Sequence, residues 1–313
     1  MHEIIVYTHQ DCLLKYNGTN HPEKKERLDS ILKSIKEIDY LDVKIRKSSN
    51  ATMENINLVH PKKYIEKIFS LIPKSGLIGV EKEPYADTLL CPDSKNAILS
   101  SCGAGILAAD SIIKENKKRI FCAVRPPGHH AETNRANGFC FINNIAVCAS
   151  YLQSHYNINK IAIIDFDVHH GNGTQEIFFN NDKIVYGSIH ESPLFPGTGL
   201  ERETGVGNIF NAPIKAGTGG IDFIEILERE ILTKIDNFKP EIILLSAGFD
   251  AHKRDPLSST ILESNDFYVL TKKIVKIANT HCQGRIISFL EGGYDLLALS
   301  ESIKKHFLAL GEN

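Results

Sequence analysis

Asp165, Asp167 and His169 follow directly on the apolar run Lys160-Ile161-Ala162-Ile163-Ile164. Alternate residues of an extended strand share a face, so this spacing predicts that all three project to one side. Two carboxylates and an imidazole in that arrangement suit a divalent cation. The pattern recurs along the chain: an apolar run closes on groups that bind metals or move protons. After 119–124 comes Arg125-Pro126-Pro127-Gly128-His129-His130-Ala131-Glu132. After 183–189 come His190 and then Phe195-Pro196-Gly197-Thr198-Gly199. After 241–247 comes Gly248-Phe249-Asp250-Ala251-His252, and after 284–290 comes Glu291-Gly292-Gly293-Tyr294.

A three-ligand site needs one group besides Asp167 and His169. Asp250 is the best candidate, because it ends a buried strand where an unpaired carboxylate is costly; an aspartate capping the next segment is the alternative. Two carboxylates and one imidazole leave positions open for water and substrate, as in a catalytic zinc site. The same ligands leave iron(II), cobalt and manganese open. His129 and His130 follow Pro-Pro-Gly, rigid at the prolines and tightly turned at the glycine, which suits a proton-transfer pair facing a pocket. Tyr294 follows two glycines that let the backbone approach a ligand closely. Its hydroxyl could donate to a developing oxyanion, or its ring could simply pack.

The elements that must position these groups alternate from about residue 119. Strands are expected at 119–124, 160–166, 183–189, 241–247 and 284–290, and helices near 142–155, 220–236, 264–279 and 295–309. Within 220–236, Ile224, Leu227, Ile231 and Ile235 mark one helical face. The first half supplies a strand at 2–7, a helix from about Pro22, and helices at 61–72 and 93–114. Continuous apolar strands such as Ile242-Ile243-Leu244-Leu245 are those of a parallel sheet covered on both faces. No repeat or Pro/Ser-rich linker divides the chain. The expected fold class is α/β, a three-layer α/β/α domain over 1–313 with a mainly parallel central sheet. Ligands of such sheets bind beyond the carboxyl ends of the strands, so the clusters should converge on one pocket.

Composition sets outer bounds. A 313-residue chain buries roughly 75% of its unfolded surface, ample for a core without staples. A net charge of −2 gives no bulk attraction to nucleic acid or membranes, and neither is expected as a partner. The seven cysteines (Cys12, Cys91, Cys102, Cys122, Cys140, Cys148 and Cys282) lack CxxC spacing and read as buried reduced thiols. The first residues read as a strand rather than a signal peptide, and no apolar stretch approaches the ~20 residues that span a bilayer. A cytoplasmic protein is the expectation.

The segments RPPGHHAE (125–132), GFCFINNIA (138–146), DFDVHHGNGTQ (165–175), FPGTG (195–199), AGFDAHKRDPL (247–257) and LEGGYDL (290–296) resemble those of the histone deacetylase family. That family includes acetoin-utilisation-type proteins and acetylpolyamine amidohydrolases, and has the arginase-deacetylase fold. The resemblance runs from HPEKKERL (21–28) to near the C-terminus and is closer to class II and bacterial members than to class I. It implies a catalytic zinc on Asp167, His169 and Asp250. It implies His129 and His130 as the proton-transfer pair, with His130 the general base, and Tyr294 as the oxyanion-stabilising hydroxyl. Asp165 would orient His129 and lie beside a structural potassium ion, with Asp167, His169, Ser188 and Ile189 nearby. Gly138, Phe139 and Phe195 would wall a narrow acyl-lysine tunnel, with Leu257 and Gly292 also at the substrate. Arg27 would line an internal cavity through which acetate leaves, and His170 has no catalytic role.

The implied reaction hydrolyses an acetyl or other acyl amide of a lysine side chain in a protein or peptide. Small acetylated amines are the alternative substrates. An apolar Leu257, where polyamine-selective relatives carry an acid, tilts the reading toward acyl-lysine. A binuclear manganese ureohydrolase of the same fold and a binding-only acyl-lysine module are further alternatives; the presence of His130 and Tyr294 argues against both. Asn172 stands where class I members carry an aspartate. A neutral partner stabilises imidazolium less, so His130 should stay neutral to lower pH than with a carboxylate there.

Overall fold

The computed structural model describes residues 2–80 and 86–312. Its ten strands are β1 (Ile4–Thr8), β2 (Val43–Lys47), β3 (Ile78–Gly79), β4 (Leu89–Leu90), β5 (Arg119–Cys122), β6 (Ile161–Asp165), β7 (Ile184–Glu191), β8 (Ile209–Ile214), β9 (Ile242–Ala247) and β10 (Ile286–Leu290). The helices are α1 (Asp11–Leu14), α2 (Lys25–Lys36), α3 (Met53–Ile56), α4 (Lys62–Ser70), α5 (Ser94–Lys114), α6 (Asn144–Tyr156), α7 (Asn172–Phe178), α8 (Gly220–Ile226), α9 (Thr233–Phe238), α10 (Ser264–His281) and α11 (Leu296–Gly311). Eight strands make one sheet in the order β2-β1-β5-β10-β9-β6-β7-β8, and every pairing in it is parallel. Helices α2, α10 and α11 pack together on one side, and α5 and α6 pack on the other. This is the three-layer α/β/α arrangement expected from the apolar runs.

The central strands β6, β9 and β10 are buried along their whole length, which is why isoleucine and leucine run through them without alternation. Helix α5 corrects one expectation. Over 21 residues it is long and apolar enough, by length and composition, to cross a membrane. It is instead mostly buried against β1, β5, β10 and α6. A Cβ at its Gly103 would lie 1.8 Å from Ser49 O, so the helix meets the chain backbone directly.

Four other readings change. The strand expected over 160–166 stops at Asp165, and the next residues turn. Asp165 Oδ1 accepts the Asp167 N–H at 3.2 Å, and Asp167 Oδ1 accepts the His169 N–H at 2.9 Å. Aspartates that capture backbone two residues on favour such turns over extended chain. The helix expected from Pro22 begins at Lys25, because Glu23 is held in a buried ion pair with Arg125. The 220–236 helix is interrupted by a π-helical turn at Leu227–Leu232. There Ile231 packs against Gly187, where a Cβ would lie 2.3 Å from it. Edge strands β2 and β8 and helix α7 were not anticipated. All seven cysteines are buried and unpaired.

Candidate active site

β5, β10, β9 and β6 are consecutive in the middle of the sheet, so the segments that follow them meet over its centre. The loop after β5 is pinned from below. Glu291 Oε2 accepts the N–H groups of Gly128 (2.7 Å) and His129 (3.2 Å). The His129 carbonyl accepts the Gly173 and Thr174 N–H groups at 3.0 and 3.1 Å, at the start of α7. A Cβ at Gly128 would lie 2.6 Å from Asn144 N, so only glycine fits there.

The two histidines thus held have different partners. His129 Nδ1 lies 3.0 Å from Asp165 Oδ2, which also accepts the Tyr186 hydroxyl at 2.9 Å. His130 Nδ1 lies 2.9 Å from Asn172 Oδ1. The Asn172 amide nitrogen donates to Glu132 Oε1 at 2.7 Å, so its oxygen faces His130 and accepts from Nδ1–H. That tautomer leaves His130 Nε2 free to take a proton. Burial alone would lower the pKa of His129, but Asp165, Asp167 and Glu291 outweigh it and lift it to about 10. A cation held at Asp167 would reduce that pull. His130 goes the other way, well below the usual imidazole range, through burial and then the neighbouring His129 and His169.

Asp167, His169 and Asp250 form one buried group whose ligand atoms lie within 4.8 Å of one another. His169 Nδ1 is 3.0 Å from Asp167 Oδ1 and 3.1 Å from Asp250 Oδ2. Gly292 N–H donates to Asp167 Oδ2 (2.7 Å) and Val168 N–H to Asp250 Oδ1 (3.0 Å). Any Cβ at Gly248 would lie 2.1 Å from Asp167 Oδ2, and one at Gly292 would lie 1.9 Å from Asp250 Oδ2. Two glycines therefore leave room for carboxylates that converge on a common point. Two buried anions sharing one imidazole are a donor set that fits zinc. The convergence comes from the turn after Asp165 and not from strand alternation; Asp165 itself faces His129.

A cavity of 390 Å³ opens above this group. His130, His169 and Tyr294 lie among its lining residues with Gly138, Phe139, Phe195 and Leu257. Phe195 stands nearly perpendicular to His130, at 84° and 5.0 Å between centroids. Gly138 and Phe139 both adopt positive φ (50° and 68°), and the Phe139 N–H is held by Thr88 Oγ1 at 3.1 Å. A side chain at 138 would strike His130, with a Cβ 2.4 Å from Cδ2. Tyr294 lies under the Arg27 guanidinium (4.8 Å from ring to Cζ), and its N–H donates to Asp255 Oδ2 at 2.6 Å. Burial raises its hydroxyl pKa well above the ordinary value.

Ser188 pairs with Asp165 across β7 and β6, with buried Ile189 beside it. Gly292, expected at the substrate, lies against the two carboxylates. Arg27 is fully buried; its Nε donates to Gly293 O at 2.6 Å and its other nitrogens reach Glu291 O and Glu23. His170 turns away to Thr198 (2.7 Å) and Gln175 (3.0 Å). Glu291, Asp255, Tyr186, Glu23 and the cavity-lining His21 were not singled out from sequence. Glu291 and Asp255 sit inside LEGGYDL and AGFDAHKRDPL, where a carboxylate one to five residues from a ligand or the tyrosine was the available signal. Burial raises the Glu291 carboxyl to about 7; the His129 charge and the Gly128 N–H pull it down, while Asp165 and Asp167 push it up.

The buried Asp-His-Asp group, the tandem histidine and the tyrosine thus meet at the carboxyl ends of the central strands of an α/β/α fold. The sequence matches the family model described as histone deacetylase domain over residues 21–310, and the chain belongs to that family. It is 37% identical to histone deacetylase 14, chloroplastic, of Arabidopsis thaliana, over 95% of this chain and 74% of that protein. It is 32% identical to a probable deacetylase of Archaeoglobus fulgidus (92% and 80% covered) and to a histone deacetylase-like amidohydrolase of Pseudomonas aeruginosa (87% and 71%). The crystal structure of the HDA15 HD domain superposes with a TM-score of 0.90 at 30% identity, over 99% of this chain and 89% of that one.

Proposed function

We propose that this chain is a zinc-dependent amidohydrolase that removes acetyl groups from the side-chain amine of lysine in proteins or peptides. The observation that carries this reading is the 390 Å³ cavity whose lining includes His130, His169 and Tyr294 beneath aromatic walls. Asp167, His169 and Asp250 would hold the zinc. Bound there, zinc supplies a Lewis acid for the amide carbonyl and the acidity that makes water nucleophilic at neutral pH.

The chain's own groups do the rest. Phe139 and Phe195 hold the apolar lysine stem and exclude water around it. His130 Nε2 takes a proton from the attacking water, and Asn172 keeps Nδ1 protonated and turned away. The Tyr294 hydroxyl donates to the oxyanion as the carbonyl carbon becomes tetrahedral. When the C–N bond breaks, His130 returns the proton to the leaving amine, giving a carboxylate and a free amine. Asp165 accepts from His129 Nδ1 and fixes the orientation of its ring, whose charge borders the same centre. A potassium ion beside Asp165, Asp167, His169, Ser188 and Ile189 belongs to this reading; its support is the Asp165–Ser188 pairing. The apolar Leu257 at the cavity favours acyl-lysine over cationic polyamines, and similarity to the Pseudomonas histone deacetylase-like amidohydrolase supports an amidohydrolase in the wider sense.

Zinc-loaded protein should turn over an acetyl-lysine peptide faster than acetylputrescine, lose activity on chelation, and lose most of it in Tyr294→Phe. Preference for acetylputrescine would move the reading to small amines. No turnover of any acylated amine with zinc, iron(II) or cobalt would overturn it.

A further inference from the structure

Tyr294 follows Gly292 and Gly293, and Gly293 has φ +117°, a conformation that L side chains rarely adopt. A double glycine transmits little order from β10 to the tyrosine, so its placement depends on contacts from elsewhere. One comes from Arg27, whose Nε donates to Gly293 O and whose guanidinium covers the ring. The Phe139 ring meets the Tyr294 ring edge-on, with 6.1 Å between centroids. A further contact comes from Asp255 in the loop after β9. Its Oδ2 accepts the Tyr294 N–H at 2.6 Å and, more weakly, the Asp295 N–H at 3.4 Å. Its Oδ1 accepts the Leu257 N–H at 3.0 Å. The Asp255 main chain is tied down in turn, with its N–H on His252 O at 2.8 Å.

Leu257 and Tyr294 line the same cavity. One carboxylate thus spans the two loops that bring a tunnel-wall residue and the oxyanion hydroxyl together. Asp255 is 7% exposed, so water offers little compensation for a lost bond. It makes no contact with the cavity itself; whatever it does for the reaction passes through the Tyr294 backbone. We propose that Asp255 is a positioning residue that sets the Tyr294 hydroxyl for the oxyanion by clamping the Tyr294 and Leu257 amides with its two oxygens. This rests on the proposed role of Tyr294.

An asparagine has one acceptor oxygen, so Asp255→Asn turns an NH2 group toward one of the two N–H donors and opens one arm of the clamp. The test is a double-mutant cycle on an acetyl-lysine peptide with zinc-loaded wild type, Asp255→Asn, Tyr294→Phe and the double variant. Misplacing a reacting group by about 1 Å costs on the order of 100-fold, so kcat of Asp255→Asn should fall about 10- to 100-fold with KM within about threefold. In the Tyr294→Phe background the same change should cost less than about threefold, because no hydroxyl is left to position. A second readout does not use activity. In protein labelled with 3-fluorotyrosine, the 19F resonance absent from Tyr294→Phe should shift in Asp255→Asn.

Losses that multiply in the double variant, a rise in KM alone, or an unmoved resonance would overturn the proposal. If Asp255→Asn does not fold, Asp255→Glu keeps the charge, displaces the oxygens and carries the same cycle. An inactive wild type would instead sink the reading of the site. An active wild type with a crippled Tyr294→Phe leaves Asp255 as the sole question.

Discussion

Two buried charge clusters of opposite sign flank Tyr294. On one side Lys15, Arg27 and Arg125 surround a single carboxylate, Glu23, all of them 2% exposed or less. On the other, Asp167 and Asp250 share His169. The cationic cluster is complete. Arg125 donates to Glu23 and to the carbonyls of Cys12 and Lys15, Arg27 to those of Gly293 and Glu291, and Lys15 to Asn17 and Leu89 O. Main-chain oxygens disperse its excess charge. The anionic cluster is held by three main-chain N–H groups and one imidazole shared between two carboxylates, and its ligand atoms lie within 4.8 Å of one another. The contrast teaches that the first cluster is self-contained, whereas the second gathers anionic ligand atoms at one point, an arrangement that could hold a metal ion.

The sharpest way to break that contrast is Asp250→Asn. Removing a ligand should cost several kcal/mol of catalysis, a loss of at least about a thousandfold in turnover, together with loss of the zinc counted per chain by elemental analysis. A variant that keeps both zinc and turnover would erase the distinction. Glu23→Gln attacks the other cluster and should act on stability, by about 3–5 kcal/mol in urea unfolding at pH 7, with zinc content unchanged. Burial alone would raise the Glu23 pKa, but Arg125, Lys15 and Arg27 outweigh it and hold the carboxyl at about 2. Its stabilising contribution is therefore present above pH 4.5 and lost as pH falls from 4.5 to 2, so wild type and Glu23→Gln should converge in that window. The smallest effect is expected at the edge of the anionic side. Asn172→Asp puts a carboxylate on His130 and should raise the acidic limb of the pH–rate profile by about one unit. An unmoved or lowered limb would contradict the assignment of His130 as the base.

What could be read from sequence depended on how local its cause was. Central strands announce themselves because both faces are buried; β2, with the sequence VKIRK at a half-exposed edge, does not. The clusters after β5, β6, β9 and β10 were legible because parallel strands send their carboxyl ends to one side, and the sheet order then makes them neighbours. The alternation expected of Asp165, Asp167 and His169 was a wrong route to the right neighbourhood, since the aspartates bend the chain by accepting its own N–H groups. Glu23 with Arg125, 102 residues apart, and Asp255 with Tyr294, 39 apart, are fixed by tertiary contact alone. Nothing in the spacing of those pairs encodes them.

The bonds from Gly173 and Thr174 to the His129 carbonyl, all main-chain, carry a last consequence. They lock the loop bearing His130 to the first turn of α7, which bears Asn172. The imidazole and its amide partner therefore ride on one rigid bracket. Drift of that bracket relative to the sheet moves both together and leaves their separation unchanged, so the proton on Nδ1 keeps its acceptor.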